Sequence, residues 1–291
     1  MSYAAIHPDW EKPRTNMVDG YSLEMTAKET EGLREAAPLI RPGTQVAVTF
    51  LPGEDLDQRV AAAVLVRELG FEPIVHLSAR RIESEEQLDW YLGEITSKAG
   101  VKRVFIIAGD PPEAEGPYSD SLQIIESGLL EKHGIEIVGV GGHPEGHPNN
   151  TPAELWDWME RKIAAVRAHG MTPLVVTQFA FDDDAIVEWV AEMRQRGIDV
   201  PVRLGVPGPA GIKRLLGFAK RCGVGASASV MKKYGISLTN LIGSAGPDKL
   251  VSSLDAKLNP EDHGRVRLHL YPFGALKASA EWINSYDAKH R

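Results

Sequence analysis

Apolar positions along this chain follow two alternating rhythms. Short runs rich in Val, Ile and Leu occur at YSLEM (21–25), QVAVTF (45–50), EPIVHLS (72–78), KRVFIIAG (102–109), IEIVGV (135–140), PLVVTQF (173–179), VPVRLGV (200–206) and RVRLHLY (265–271). Several are apolar almost throughout, the pattern of strands covered on both faces in a parallel sheet. Between them, apolar residues recur at helical spacing over 27–40, 56–69, 84–99, 119–133, 152–169, 183–196 and 209–222, and again over 274–290.

The helix boundaries carry their own signals. Ser84 is placed to cap one start, with Gln87 at the capping-box position. Pro152 follows the cap residue Thr151 as a first-turn proline. His133-Gly134 and His169-Gly170 read as helix ends with glycine just beyond. Eight strands alternating with eight helices over about 250 residues predict a single (β/α)8 TIM barrel, against a doubly wound open sheet as the competing architecture. The segment 223–264 breaks the alternation and reads as extra helices before the last strand. No linker or composition break divides the chain, so 1–291 is expected to form one barrel domain, with 1–19 as an N-terminal extension.

Composition removes several classes of function. The 291 residues are 43% hydrophobic and 25% charged, with a formal net charge of -8 and a pI near 5.6. That acidic balance, with Lys and Arg scattered, argues against nucleic acid as a partner. Cys222 is the only cysteine, so no internal disulfide can form and a reducing compartment fits best. At a helix end, it reads as buried rather than nucleophilic. The start, MSYAAIHPDWEKPRTN, lacks the apolar core of a signal peptide. No apolar run approaches the roughly 18 residues that span a bilayer. The expectation is a cytoplasmic protein without a membrane partner; whether it forms a homo-oligomer is open.

Parallel α/β folds work at the C-terminal ends of their strands. The polar residues there, in order, are Glu24, Thr49, His76, Asp110, the loop His143–His147, Thr177-Gln178 and Tyr271. Each alone has a structural explanation: a helix cap for Glu24, a turn aspartate for Asp110, a backbone-bonded amide for Gln178. Their shared rim position is what suggests a site. No GxxxxGK[ST] or G-x-S-x-G motif is present, and Pro144 and Pro148 interrupt what a GxGxxG fingerprint would need as a helix start. The stretch GVGGHPEGHPNN (139–150) admits two readings. His143, Glu145 and His147, with His76, could bind a catalytic metal in a lyase or hydrolase. Alternatively its glycines let backbone approach a ligand closely, and that second reading fits better, with no metal.

In order along the chain, these motifs resemble the catalytic domain of the 5,10-methylenetetrahydrofolate reductase family, over about residues 20–285. SLEMTAKE resembles the family's SFEFFPP and puts Glu24 at its catalytic glutamate. VTFLPG resembles VTYG, with Thr49 at a flavin contact, and HLSAR resembles HLTC, with His76. IAGDPP resembles LRGDPP, so Ala108, Gly109 and Asp110 fall at the flavin and the active-site aspartate. GGHPEGHP resembles AAYPEVHP, bringing Gly142, His143 and His147 to the flavin loop. Lys162 matches a lysine near the flavin phosphates. TQFAFD resembles TQFFFD, with Gln178 at a folate position, and HLYPFG resembles HFYTLN, with Tyr271.

The resemblance implies reduction of methylenetetrahydrofolate to methyltetrahydrofolate, or the reverse, by hydride from or to NADH or NADPH, usually through FAD. Glu24 would be the general acid, kept protonated by burial beside Leu23 and Met25. Asp110 would stay charged and fix the pterin, and Gln178 would meet a pterin edge with donor and acceptor. The departures cluster around the flavin: Ala108 stands where the family has arginine, and His143 where it has tyrosine. Glu24 lacks the usual Phe-Pro-Pro after it. A flavin-independent variant, or a folate- or flavin-binding relative without chemistry, are therefore the alternatives.

Overall fold

The computed structural model describes residues 10, 12–221 and 244–290. Eight parallel strands close into a barrel: β1 (Ser22–Met25), β2 (Gln45–Val48), β3 (Glu72–Ser78), β4 (Arg103–Ile107), β5 (Ile137–Gly142), β6 (Thr172–Phe179), β7 (Val202–Pro207) and β8 (Val266–Tyr271). The expected barrel is thus the observed one, and the open sheet is excluded by the β1–β8 seam, where Ser22 pairs with His269 and Leu23 with Leu270.

Strand alternation divides the core in two. One side-chain set, including Leu23, Val46, Val75, Val104, Val138, Val175, Leu204 and Leu268, points outward and packs with the helices. The alternate set, Ala47, Ile74, Phe105, Ile137, Leu174 and Val176, fills the barrel with Trp10. Trp10, 2% exposed, is part of the barrel's inner packing.

Helices follow the predicted spans closely. The principal ones are α1 (Thr30–Ala36), α2 (Leu56–Glu68) and α3 (Glu85–Ala99). The 119–133 stretch is two short helices, α4 (Ser121–Ile125) and α5 (Leu129–Lys132). Gly128, at φ 77°, breaks it, a conformation that costs glycine little. Next come α6 (Pro152–Ala168), α7 (Asp183–Gln195) and α8 (Ile212–Arg221). Between β7 and β8 the described residues also form α9 (Asp248–Lys257) and α10 (Pro260–His263), the expected extra helices, before the final α11 (Leu276–His290). Cys222 lies outside the described residues, as does the first part of that segment.

The caps behave mostly as expected. Thr151 and Glu154 form the reciprocal capping box at α6. At α3 only half of one forms: Ser84 accepts from Gln87 N at 3.1 Å, while the Gln87 side chain accepts from Glu83 N instead of Ser84 N. No helix among the described residues is long and apolar enough to cross a membrane.

Candidate active site

Period-two alternation on β1 sends Ser22 and Glu24 to the same side, and on β8 it does so with Arg267, His269 and Tyr271. Glu24 ends up at the C-terminal mouth between two histidines. Its Oε2 lies 3.8 Å from His76 Nε2 and 3.6 Å from His269 Nε2. Burial pushes the Glu24 carboxyl up to about 7; His76 opposes that shift, and Glu29 adds to it. Neither histidine carries a charge at neutral pH. Burial lowers His76 to about 4, Glu24 opposing it and His269 and Arg59 adding to it. His269 falls to about 3 through burial and the nearby Arg203 guanidinium. With neutral rings beside it in a desolvated site, the carboxyl titrates close to neutral pH and stays partly protonated there.

His269 and its partner Ser22, 2.8 Å from His269 Nδ1, were not among the residues singled out from the sequence. The inward phase of RVRLHLY carried the signal, because His269 sits two positions before Tyr271. Arg59 was also missed. It is fully buried on α2, donates to the carbonyls of Thr49 and His76, the latter at 2.5 Å, and lies 3.7 Å from the Phe50 ring centre. Its guanidinium ties together the ends of β2 and β3. In LDQRVAAAV it looks like an ordinary solvent-facing residue.

The other predicted positions spread around the rim. Thr49 Oγ1 and Ser78 Oγ, at the ends of β2 and β3, are buried without hydrogen-bond partners. Gly109 (φ 99°) packs so tightly on Ser78 that a Cβ there would lie 2.1 Å from Ser78 Oγ, and Ala108 O accepts from Arg80 N at 2.9 Å. Asp110 is exposed and does not touch Glu24. Its Oδ1 accepts from Arg81 Nε and Nη2 at 2.9 and 2.7 Å, so an arginine from the β3 loop, unnoticed in the sequence, governs it.

In the β5 loop, burial lowers the His143 imidazole to about 4, with His147 and Lys162 adding to the shift. The His143 and His147 rings meet edge-on at 5.3 Å, and burial also lowers His147. Burial depresses the Lys162 ammonium, with Asp120 opposing. Gly142 is required by packing: a Cβ would come within 2.6 Å of Trp189.

Gln178 lies in the bulge between Val176 and Phe179, its Oε1 accepting from Phe179 N at 3.1 Å. Tyr271 donates its hydroxyl to Thr177 O at 3.0 Å. Opposite the bulge, Gly205 has to be glycine, since a Cβ would lie 2.5 Å from Thr177 O.

This geometry separates the alternative metal ligands. His76 faces Glu24, while Glu145 Oε1 accepts from Phe181 N and Asp182 N at 2.7 and 2.8 Å and ties the β5 loop to the β6 loop. Among the described residues, the set of His, Cys, Asp and Glu ligand atoms that gathers within 4.8 Å is Asp182, Asp183 and Asp184. There the Lys257 ammonium bonds Asp183 and Asp184, and Ser253 donates to Asp183 at 2.5 Å, a latch between α7 and α9.

The fold and these strand ends define a (β/α)8 barrel with its candidate site at the C-terminal mouth, centred on a half-buried carboxyl pushed up to about 7. The chain belongs to the methylenetetrahydrofolate reductase family, whose model matches residues 21–279. It is similar to methylenetetrahydrofolate reductase 2 of Saccharomyces cerevisiae, 27% identical over 228 residues, which is 72% of this chain and 36% of that protein. Methylenetetrahydrofolate reductase (NADH) 1 of Arabidopsis thaliana is 28% identical over 170 residues, 52% of this chain and 27% of its own length. The chain thus spans about a third of the curated relatives it matches. Dihydropteroate synthase from Thermus thermophilus, solved in complex with 6HMPPP, superposes at a TM-score of 0.51 with 14% identity, covering 96% of each chain; this likeness is one of fold.

Proposed function

We propose that this chain interconverts 5,10-methylenetetrahydrofolate and 5-methyltetrahydrofolate by hydride transfer from or to NADH or NADPH, through FAD, with Glu24 as general acid. The observation that carries the reading is the Glu24 carboxyl, half-buried between two uncharged histidines and pushed up to about 7. Opening the methylene bridge to an iminium requires a proton on a folate nitrogen, and a carboxyl of that pKa can donate one at neutral pH. The hydride would then convert the one-carbon unit to methyl, and Glu24 would regain a proton from solvent.

The rim fits a polar cofactor. Thr49 Oγ1 and Ser78 Oγ are buried donors without partners, which is costly unless a ligand meets them. Thr49, His76, Ala108, Gly109, Asp110, Gly142, His143, His147 and Lys162 would hold the flavin. When bound, it would accept hydride from the nicotinamide and pass it to folate. Gln178, Tyr271, Asp110 and Glu24 would contact the folate. Lys162 is the cation suited to the flavin phosphates, since burial already disfavours its charge without an anion.

The visible spectrum of the purified protein tests this, recorded before and after NADH and then methylenetetrahydrofolate. A flavin band bleached by NADH and restored by the folate is the expected result. NADH consumed only with folate present, and no flavin band, would move the reading to direct hydride transfer. No response to either would sink it.

A further inference from the structure

Glu24 Oε2 sits between two imidazole Nε2 atoms, while Ser22 stands behind one of them. Ser22 Oγ is 2.8 Å from His269 Nδ1, and the two residues are Cα partners across the seam that closes the barrel. Both are buried, at 0% and 2% exposure. Beyond Nδ1, the acceptor within reach of the Ser22 hydroxyl is Leu268 O at 3.5 Å, the outer limit for such a bond. Two arrangements fit these contacts, Nδ1–H donating to Ser22 Oγ with the hydroxyl passed on to Leu268 O, or the hydroxyl donating to Nδ1, and the 2.8 Å contact against 3.5 Å favours the second. An Nδ1 that accepts a hydrogen bond leaves the neutral ring's proton on Nε2. That Nε2 has no hydrogen-bond partner, and the group it faces is Glu24, at 3.6 Å.

We propose that Ser22 and His269 form a positioning pair: Ser22 fixes the His269 tautomer, so Nε2–H points at Glu24 Oε2 and the acidic proton resides on Oε1. The proposal rests on Glu24 serving as the general acid. His76 Nε2 approaches the same oxygen, Oε2, from the other side. Both rings thus address one carboxyl oxygen and leave the other for the substrate. A carboxylic acid donates outward best when its carbonyl oxygen accepts and its hydroxyl faces the reacting atom. A bare Nε2 would instead draw the proton onto Oε2, away from the folate. Gly205, the Cα partner of His269 on β7, contributes no side chain beside the ring, and the Tyr271 ring meets it at right angles, 4.9 Å away.

The test pairs ¹⁵N NMR of histidine-labelled protein with stopped-flow kinetics on Ser22→Ala, the His269 signal being assigned by its loss in His269→Asn. Wild type should show a protonated Nε2 and a bare Nδ1 at His269, and Ser22→Ala should mix the two tautomers. The folate-dependent step of Ser22→Ala should slow about tenfold to a hundredfold, the scale for a misplaced reacting group, while reduction by NADH keeps its wild-type rate. A proton on Nδ1 in the wild type, or a wild-type folate step in Ser22→Ala, overturns the pair. Wild-type protein with no folate-dependent turnover would overturn the reductase reading instead, and the tautomer measurement, which needs no folate, still decides the pair.

Discussion

At the N-terminal floor of the barrel, Arg203 is 1% exposed and keeps a charge; at the C-terminal mouth, Glu24, its side chain 18% exposed, has its carboxyl pushed up to about 7 and gives its charge up as pH falls through that value. The floor spends its cation on fixed acceptors. Arg203 donates to Gly20 O at 2.9 Å, Leu268 O at 3.3 Å and Gln45 Oε1 at 2.7 Å, with the Trp10 ring centre 5.4 Å away. Even lowered to about 9 by burial, with Arg267 and Arg103 adding, it stays protonated at neutral pH. The mouth offers Glu24 no cation, only neutral rings beyond hydrogen-bond length. The contrast separates polar burial that holds a fold together from polar burial that leaves a group poised to react.

The sharpest way to break the comparison is at the floor. Trp10→Ala should destabilise the protein by about 3–5 kcal/mol, the range for truncating a buried aromatic, seen as a lower denaturant midpoint. Turnover of the protein that remains folded should be unchanged. A proportionate loss of turnover under folding conditions would mean that floor and mouth act as one unit.

At the mouth the effect should be catalytic. Glu24→Gln should keep folate binding but cut turnover by about 10²-fold or more, the scale for losing a general acid; near-normal turnover would end its assignment. Wild-type turnover should fall as pH rises through about 7, where Glu24 ionises. Stability should follow the same group. Its folded pKa lies above the ordinary 4.5, so the folded state binds the extra proton between those values. Stability is therefore full below pH 4.5 and is lost as pH rises to about 7. The loss is on the order of 3 kcal/mol, and Glu24→Gln should abolish that share of it in chemical denaturation at pH 5 and pH 8.

Which residues were legible in the sequence and which were not follows from periodicity. Runs such as KRVFIIAG and PLVVTQF carry their strand assignment locally, and Thr151 and Gly134 mark helix boundaries by their own chemistry. Glu24, Thr49 and His76 were visible because they end such runs. Trp10 was not, because its partners Ala47, Phe105 and Leu174 come from three separate strands. His269 needed the closure of β1 against β8 before Ser22 became its neighbour. Arg59 and Arg81 sit in segments whose composition reads as surface, and their bonds to Thr49, His76 and Asp110 exist only once neighbouring strands are aligned.

At the mouth, beyond the ends of β5 and β6, lies the Glu145 crosslink. Glu145→Ala removes a carboxylate that accepts from two backbone N–H groups, and charged acceptors of that kind are worth about 1.5–3 kcal/mol each. The expected loss of stability is about 2 kcal/mol, because water can take over part of the bonding. Hydrogen exchange at Phe181 and Asp182 should rise, and unchanged protection there would remove the crosslink from the account of the β5 loop.

Asp110→Asn should have the smallest effect on stability and the most selective one on chemistry. The Asp110 side chain is 63% exposed, and its partner Arg81 also approaches Glu115 at 3.6 Å. An exposed pair of this kind is worth less than about 1 kcal/mol, so the unfolding midpoint should hardly move. Asn keeps an oxygen for Arg81 and removes only the charge. If Asp110 fixes the folate, its methylenetetrahydrofolate half-reaction should slow while reduction by NADH keeps its rate. Were both half-reactions unchanged, the Arg81–Asp110 pair would be an ordinary surface contact like Lys102–Glu136 at the other end of the barrel, whose side chains are 52% and 53% exposed, and the working carboxyl at the mouth would be Glu24 alone.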